Sequence, residues 1–301
     1  GLYRSVSPIL FSSLGIDEVT NTVYVRRSLS KGPKIVALGG GTGLSVVLKG
    51  LKVYSDNLSA IVSVGDDGGS SGRLRKQLGL IPPGDFRNCL VALAEDESLV
   101  GKLFQYRFSQ GEGLQGHSFG NLFIAAMTDV TGGFDKALVE SSKVLSVNGK
   151  ILPSTLVPIE LIADLEDGTT VYGESKIGET NGRIKKLLIE PADVSAYPQS
   201  IDALINAELI VLGPGSLYTS VLPSLLVTEI QEAISKSNAC KIYVCNVATQ
   251  RGETSGYGVN EHVGALLDHT SDSFVDCVIA NDLVNTESES EICPVVEGPE
   301  M

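Results

Sequence analysis

The sequence predicts an α/β protein with a Rossmann-like, doubly wound, mostly parallel sheet and a small antiparallel β insert. Two observations predict the sheet: short continuous apolar runs alternate with helical patterns, and glycine-rich loops follow several of these runs. A third observation predicts the insert, because residues from about 150 to 192 change to an alternating apolar and polar pattern.

Composition narrows the class of protein. The chain has 301 residues, of which 43% are apolar and 20% charged, and this excludes disordered and disulfide-scaffold proteins. Its net charge of -13 predicts no nucleic-acid partner and no docking on anionic lipid. No run of 18 apolar residues occurs, so no membrane span is expected within this chain. The five scattered cysteines lack a Cys-x-x-Cys pair, which favours a reduced compartment.

The pattern divides the chain into three parts. Residues 1–33 form a lead-in segment with a candidate edge strand at Thr22–Arg26, and residues 34–281 form the Rossmann-like domain with its β-rich insert at about 150–192. Residues 282–301 are predicted to be a C-terminal loop. Because the chain does not begin with methionine and ends just after a Ser/Glu-rich stretch, we expect it to be truncated relative to a longer protein.

The domain is predicted to begin with a βαβ unit. Lys34–Leu38 is an apolar run typical of a strand covered on both faces, Leu44–Leu51 has a helical pattern, and Leu58–Val64 is the second strand. Four helices are predicted next, at 86–94, 99–108, 118–129 and 134–144.

The insert is predicted to be a hairpin with a third strand. Leu156–Leu165 and Thr169–Glu174 join across Glu166-Asp167-Gly168, and Arg183–Ile189 follows. The α/β alternation then resumes, with strands at 208–212, 241–247 and 274–280 and helices at 201–206, 224–236 and 259–269. Ligands of such sheets bind beyond the carboxyl ends of the strands, where the glycine-rich loops fall.

The first glycine-rich loop connects the first strand to the first helix. Glycines let the backbone approach a phosphate closely, and a helix start offers free N–H groups. The loop is not a full Gly-x-Gly-x-x-Gly, because Leu44 stands at the third glycine position, and it is not a Walker A loop. A tight structural turn is the alternative. Its predicted phosphate-binding residues are Gly39, Gly40, Gly41, Thr42 and Gly43.

A second loop follows the second strand and combines adjacent acids, a Gly/Ser run and an arginine. Backbone N–H groups with a guanidinium suit an anion, and an aspartate suits ribose or Mg²⁺. A flexible surface loop is the alternative. The residues predicted to contribute are Asp66, Asp67, Gly68, Gly69, Ser70, Ser71 and Arg73.

Two shorter motifs stand at predicted helix starts. Asp85 is predicted to cap its helix, and Arg87 and Asn88 in the first turn are predicted to face either the site or solvent. His117 precedes a helix start within reach of a ligand, although a lone histidine is more often structural. Asn121 is predicted to contact a base or ribose.

A second combination of strand, glycine-rich loop and helix start spans 209–219. Two such loops at one sheet edge fit a ligand with two separated polar ends, such as a nucleotide carrying a second group. The segment 246–254 is predicted to close the pocket, and catalytic residues stay unassigned, because no zinc-ligand cluster or nucleophile elbow occurs. The predicted contacts in the second loop are Gly213, Pro214, Gly215, Ser216, Tyr218 and Thr219.

These motifs together resemble the bacterial gluconeogenesis factor family. The family is a branch of a superfamily that also contains 2-phospho-L-lactate transferase, and the resemblance extends from about Lys34 to about Asn281. The segments that carry it are Gly-Gly-Gly-Thr-Gly-Leu-Ser at 39–45, Asp-Asp-Gly-Gly-Ser-Ser-Gly-Arg-Leu-Arg at 66–75, Pro-Pro-Gly-Asp-Phe-Arg-Asn at 82–88, His-Ser-Phe-Gly-Asn at 117–121 and Leu-Gly-Pro-Gly-Ser-Leu-Tyr-Thr-Ser at 212–220.

The resemblance implies a Rossmann-like fold, a cytoplasmic location and a regulatory role in cell shape and wall synthesis on gluconeogenic carbon sources, through binding of UDP-sugars. It implies no assigned reaction and no firm cofactor. The alternative is an enzyme similar to 2-phospho-L-lactate transferase, which moves a phospho-acyl group from a nucleoside diphosphate carrier. That alternative implies Mg²⁺ near Asp66 or Asp67. A nicotinamide-dinucleotide protein is a third interpretation, and a homodimer is common for α/β proteins of this size.

Overall fold

A computed structural model describes residues 27–95 and 99–282 of the protein. The described residues form one six-stranded sheet, one three-stranded sheet and the helices that connect and cover them. The candidate edge strand at 22–26 and the predicted loop beyond residue 282 lie outside the described residues.

The six-stranded sheet has the order β3-β2-β1-β7-β8-β9, and every neighbouring pair is parallel. The chain adds strands on one side of β1 and then on the other, so a switch point lies between β1 and β7. This order is that of a doubly wound sheet, and the predicted fold class is confirmed. The strands are β1 (Ile35–Gly39), β2 (Leu58–Val62), β3 (Lys150–Pro153), β4 (Glu160–Leu165), β5 (Thr170–Tyr172), β6 (Ile184–Glu190), β7 (Leu209–Leu212), β8 (Cys240–Val244) and β9 (Cys277–Ile279).

The insert is a three-stranded antiparallel sheet in the order β5-β4-β6. It begins later than predicted, because β3 pairs in parallel with β2 and belongs to the main sheet. A strand of four residues shows neither an alternating nor a continuous pattern clearly, so its pairing partner decides where it belongs.

The helices cover the main sheet and connect its strands. Two of them, α2 and α7, were not among the predicted helices. The predicted helix at 224–236 is divided into α9 and α10. The helices are α1 (Gly41–Leu51), α2 (Gly69–Leu78), α3 (Gly84–Leu93), α4 (Leu99–Gln105), α5 (Phe119–Thr131), α6 (Phe134–Val144), α7 (Glu174–Glu179), α8 (Pro198–Ile205), a π-helix (Leu217–Val221), α9 (Leu222–Leu225), α10 (Thr228–Lys236) and α11 (Val259–Asp268).

The core lies on both faces of the central strands. Leu38 of β1, Ile61 of β2 and Leu212 of β7 are completely buried, as the continuous apolar runs predict. Within residues 27–95 and 99–282, no helix has the length and apolar character needed to cross a membrane. The sheet therefore acts as a rigid platform that holds the loops at its carboxyl edge.

Candidate functional site

The loops after β1 and β7 contact each other at the switch point. We call residues 39–43 the β1 loop and residues 213–216 the β7 loop. A Cβ atom added to Gly43 would lie 2.3 Å from the carbonyl oxygen of Pro214. Asn246, after β8, holds the β7 loop: its Oδ1 accepts from the N–H of Gly215 at 3.0 Å, and its Nδ2 donates to the same residue's carbonyl at 2.8 Å. Three strand ends are thus brought together.

The β1 loop faces a half-buried carboxylate at the start of α3. A Cβ atom on Gly40 would lie 2.6 Å from Oδ2 of Asp85, and the N–H of Gly41 donates to the same carboxylate. Burial and the nearby Asp66 raise the pKa of Asp85 to about 6. Asp85 does not cap α3 as predicted, because it lies within the first turn of a helix that begins at Gly84. The cap position is Pro83, which provides no side-chain hydrogen bond.

A second acid comes from the insert. Glu174 is the first residue of α7, and its Oε2 accepts from the N–H of Asp67 at 3.4 Å, while Asp67 Oδ1 accepts from the N–H of Ser175 at 2.8 Å. Burial, followed by Asp66 and Asp85, raises the pKa of Glu174 to about 8. The two hydrogen bonds with Asp67 therefore join the insert to the main sheet, and they bring Glu174 close to Asp66 and Asp85. We call Asp66, Asp85 and Glu174 the carboxylate cluster.

The carboxylate cluster has the donor chemistry of a magnesium site without its geometry. In the described parts of the chain, no three His, Cys, Asp or Glu side chains are grouped so that they could hold a metal ion. Mg²⁺ is often held by only one or two carboxylates together with substrate phosphates. Burial and neighbouring carboxylates raise the pKa values of Asp85 and Glu174 and so favour their protonated forms, which are poor metal ligands. Of the three acids, Asp66 is therefore the one that would hold Mg²⁺ together with a phosphate ligand.

The start of α2 carries a buried polar network. Nδ1 of His117 lies 3.0 Å from Oγ of Ser70, and Nδ2 of Asn121 lies 3.2 Å from the same hydroxyl and 3.4 Å from that of Ser71. Oδ1 of Asn121 has no hydrogen-bond partner within the described residues, although the side chain is 1% exposed. Burial, with Arg73 and a further arginine nearby, lowers the pKa of His117, so its ring is neutral near pH 7.

The predicted arginine of α3 faces this network. Nη1 of Arg87 donates to Oγ of Ser118 at 2.7 Å, and Nη2 donates to Oδ1 of Asn88 at 2.8 Å. Arg87 is half-buried, so of the two predicted orientations the structure shows the one toward the site.

The helix start after β7 already holds a carboxyl group, that of Glu253. The N–H groups of Tyr218 and Thr219 lie 3.1 and 3.3 Å from Oε2 of Glu253, and Oγ1 of Thr219 lies 2.7 Å from Oε1. Glu253 is 3% exposed, and burial raises its pKa while these hydrogen bonds act in the opposite direction. Tyr218 is buried against Tyr257, with their hydroxyl oxygens 2.9 Å apart. The donors of this helix start are therefore satisfied internally.

Ser216 of the β7 loop also has an internal hydrogen-bond partner. Oγ of Ser216 donates to Oε1 of Gln250 at 2.7 Å. Gln250 and Glu253 come from the segment after β8 that was predicted to close the pocket.

Two depressions elsewhere on the surface lie apart from the predicted site residues. One of about 540 Å³ lies at the opposite edge of the sheet and includes Lys34, Asn57 and Asp202. Another of about 600 Å³ lies between helices and includes Lys49 and Lys102. Neither contains the predicted residues, so the convergence of polar groups, and not cavity size, locates the candidate site.

The sequence did not indicate that three acids and one arginine contribute side chains to this edge of the sheet. Asp85 was interpreted as a cap alone, while Glu174 and Glu253 lie far along the chain from their partners. Arg107, which acts on His117 and Arg87, lies in the residue run predicted as helix. Hydrophobic periodicity carries no signal for such partners, because their contacts arise between distant segments.

Comparisons with known proteins agree with this architecture. The profile of the family described as 2-phospho-L-lactate transferase CofD matches residues 35–293. The gluconeogenesis factors of Halalkalibacterium halodurans and Bacillus subtilis are each 52% identical to this chain, over 251 and 249 residues; each alignment covers 83% of this chain and 78% of the relative. A Nostoc sp. relative is 55% identical over 250 residues, and there the chain spans 55% of the relative's length.

Solved structures give the same result. A crystal structure of a Bacillus halodurans protein superposes with a TM-score of 0.85 at 48% identity, covering 88% of each chain. A second crystal structure of the same protein, described as a UPF0052 family member, gives a TM-score of 0.84 at 48% identity and covers 88% of this chain and 87% of the other. Sequence and fold together assign the chain to the gluconeogenesis factor family, within the wider family of 2-phospho-L-lactate transferase CofD.

Proposed function

We propose that the protein is a regulatory protein that binds a nucleotide sugar, a UDP-sugar, at the carboxyl edge of the six-stranded sheet. Its cellular role is in cell shape and wall synthesis during growth on gluconeogenic carbon sources. The observation that carries the binding site is the contact between the β1 and β7 loops at the switch point, where doubly wound sheets bind nucleotides. The class of ligand and the cellular role rest on the family resemblance.

Two further features support a nucleotide at this edge. Asp66 follows β2, the position from which an acid accepts hydrogen bonds from ribose hydroxyls in related folds. The unpaired Oδ1 of buried Asn121 is an acceptor for a base N–H or a hydroxyl. The site therefore offers separate partners for the sugar and the base of a nucleotide.

A thermal-shift screen tests the class of ligand. The purified chain is heated with UDP-N-acetylglucosamine, UDP-glucose, GDP or NAD, each with and without Mg²⁺. A ligand at a hundredfold excess over its Kd stabilises the native state by about 2.7 kcal/mol, which raises the melting temperature measurably. We expect shifts with the UDP-sugars alone, equal with and without Mg²⁺. No shift with any UDP-sugar would overturn the proposal.

A matched pair of variants tests the site. Asp66→Asn keeps the shape of the side chain and removes its charge, and we expect UDP-sugar binding to weaken about tenfold in calorimetry. Asp129→Asn on α5 makes the same change of charge at an exposed position and is expected to leave binding unchanged. Equal affinities of the Asp66→Asn variant and the wild-type chain would remove Asp66 from the site.

The carboxylate cluster favours a second candidate, a phospholactate-type transferase. In that enzyme Asp66 would hold Mg²⁺ with a nucleoside diphosphate carrier, and the ion would neutralise phosphate charge during transfer. This candidate predicts a thermal shift with GDP that requires Mg²⁺, and turnover of an activated nucleotide that Asp66→Asn abolishes. Undiminished turnover in that variant would exclude Asp66 as the metal ligand.

The cellular role is tested by complementation. A bacterium that lacks its gluconeogenesis factor is supplied with this chain and grown on a gluconeogenic carbon source. Recovery of normal shape by the wild-type chain, but not by Asp66→Asn, is expected. If both chains restore shape equally, the cellular role does not depend on this site.

A further inference from the structure

Three arginines from separate segments meet around one short stretch of chain, Gln115–Ser118. Nη2 of Arg73 donates to the carbonyl of Gln115 at 2.9 Å, and Nη1 of Arg107 donates to the carbonyl of Gly116 at 2.6 Å. Nη1 of Arg87 donates to Oγ of Ser118 at 2.7 Å. We call Arg73, Arg87 and Arg107 the arginine pocket.

The arginine pocket has no carboxylate partner in the described residues. Its guanidinium groups donate to carbonyls, a hydroxyl and an amide. Nε of Arg87 is buried and has no hydrogen-bond partner among residues 27–95 and 99–282. Arg107 lies close enough to Arg87 and His117 for its charge to act on both. Burial and then Arg107 lower the pKa of Arg87, against the opposite effect of Asp85 and Asp66, and burial, Arg73 and Arg107 lower the pKa of His117. The ion pairs seen in the described ranges are elsewhere: Lys143–Glu140, Arg183–Glu166 and Lys236–Glu232.

Such an arrangement points to an external anion. Although the chain has 36 acids and 23 Lys and Arg residues, no carboxylate of the described residues forms an ion pair or a hydrogen bond with this pocket. Asp85 and Asp66 act on Arg87 only through their charge. Arg73 and Arg107 are exposed, so their remaining N–H groups are accessible from solvent. Guanidinium groups in this setting bind phosphate or carboxylate through charge-assisted hydrogen bonds.

The two glycine-rich loops are less suitable for an anion. The β1 loop faces the carboxylate of Asp85, and the helix start after the β7 loop already holds Glu253. The start of α2 differs from both. Its cap, Gly68, donates its own N–H to Oδ1 of Asp66 at 2.9 Å, but no acid stands in its first turn. The N–H groups that follow the cap have no intrahelical partner, and they lie on the same helix as Arg73.

We propose that the arginine pocket, with the start of α2 and the hydroxyl of Ser70, is the subsite for a phosphate group of the ligand. This places the phosphate apart from the β1 and β7 loops and adds Arg107 to the binding residues. The inference rests on the proposed function for the source of the phosphate, which is either the diphosphate of a nucleotide or a separate phosphorylated small molecule. The recognition chemistry is the same for both.

Calorimetric titration with inorganic pyrophosphate tests the subsite. Glutamine replaces arginine in Arg73→Gln and Arg107→Gln, since it keeps an N–H donor for the backbone carbonyl and removes the charge. We expect each variant to bind pyrophosphate about tenfold more weakly and the double variant about a hundredfold more weakly. Lys102→Gln on α4 makes the same change of charge nearby, and its affinity for pyrophosphate is expected to equal that of the wild-type chain.

Two results would overturn the subsite. One is equal weakening by Lys102→Gln, which would show a diffuse charge effect. The other is unchanged pyrophosphate affinity in the arginine variants combined with lower melting temperatures without ligand, which would show that these arginines only hold Gln115–Ser118 in place.

Parallel titrations separate this inference from the proposed function. If UDP-N-acetylglucosamine binds and is unaffected by the arginine variants, the subsite is wrong while the nucleotide proposal stands. If no UDP-sugar binds but pyrophosphate binding is lost in the variants, the subsite stands and the nucleotide proposal is wrong. Competition between pyrophosphate and UDP-N-acetylglucosamine identifies the nucleotide as the source of the phosphate, and simultaneous binding identifies a separate phosphorylated molecule.

Discussion

Glu253 shows how a single buried acid can complete a helix start. It accepts hydrogen bonds from two backbone N–H groups and one hydroxyl at the beginning of the π-helix, and Nε2 of Gln250 lies 3.2 Å from its Oε1. An acceptor at a helix start relieves the unpaired N–H groups that every helix leaves there. Glu253 thereby stabilises the β7 loop, although it follows the loop by more than thirty residues.

Replacement of Glu253 is expected to be strongly destabilising. Glu253→Ala leaves two buried N–H groups and a hydroxyl without an acceptor, so we expect the free energy of unfolding to fall by about 3 kcal/mol. Urea denaturation measures this change. Glu253→Gln keeps an acceptor and is expected to cost less, and Glu112→Ala at an exposed position is expected to have little effect. Equal stability of Glu253→Ala and Glu112→Ala would contradict the role of this cap.

At the scale of elements, α2 is the least expected part of the fold. Its Gly/Ser-rich start is typical of a loop, because glycine is a weak helix former. The glycine is required by packing: a Cβ atom on Gly72 would lie 1.8 Å from the carbonyl oxygen of Asp67. The helix can therefore lie directly against the loop after β2, which brings Ser70 and Arg73 to the site.

A pair of glycine substitutions tests this packing. Gly72→Ala forces the start of α2 away from the backbone of Asp67, and we expect a loss of about 2 kcal/mol or more in the free energy of unfolding. Gly264→Ala in α11 adds a Cβ atom with nothing within 4 Å, and it is expected to stabilise the protein by about 0.5–1 kcal/mol. Chemical denaturation of both variants gives the comparison. Stabilisation by Gly72→Ala would show that the close approach does not constrain α2.

At the scale of the whole molecule, the carboxylate cluster couples the insert to the main sheet and to pH. Glu174 has an ordinary pKa of 4.5 and a folded-state pKa of about 8, so the folded protein binds more protons than the unfolded chain between these values. The contribution of Glu174 is therefore fully present below pH 4.5 and is lost as pH rises through about 8. Asp85 acts in the same direction between 3.8 and about 6.

The variant Glu174→Gln isolates this effect. It removes the titrating group while keeping its shape, and we expect the fall in unfolding free energy between pH 5 and 8 to shrink by about 1–2 kcal/mol relative to the wild-type chain. Denaturation at both pH values measures it, and comparison with the wild-type chain cancels groups that titrate in the opposite direction, such as His117 and His262. Glu179→Gln at the exposed end of α7 is the control. Identical pH profiles for all three chains would refute the coupling.

The fold could be predicted from sequence wherever a pattern is local. The run at 34–38, the helical pattern at 44–51 and the run at 58–64 correspond to β1, α1 and β2. Four-residue β3 was assigned to the insert, and α2 and α7 were missed, because short or glycine-rich segments carry little periodicity. Their structure depends on the partners against which they pack.

The sequence by itself determined the doubly wound sheet and the edge at which its loops meet, because apolar runs that alternate with helical patterns bury their faces in only a few ways. The tertiary structure alone decided which charges meet at that edge. It placed Asp85 and Glu174 beside Asp66, gave Glu253 to the helix start after β7, and gathered Arg87 and Arg107 around residues 115–118. Electrostatic partners are chosen by distance in space, and spacing along a chain carries no record of that distance.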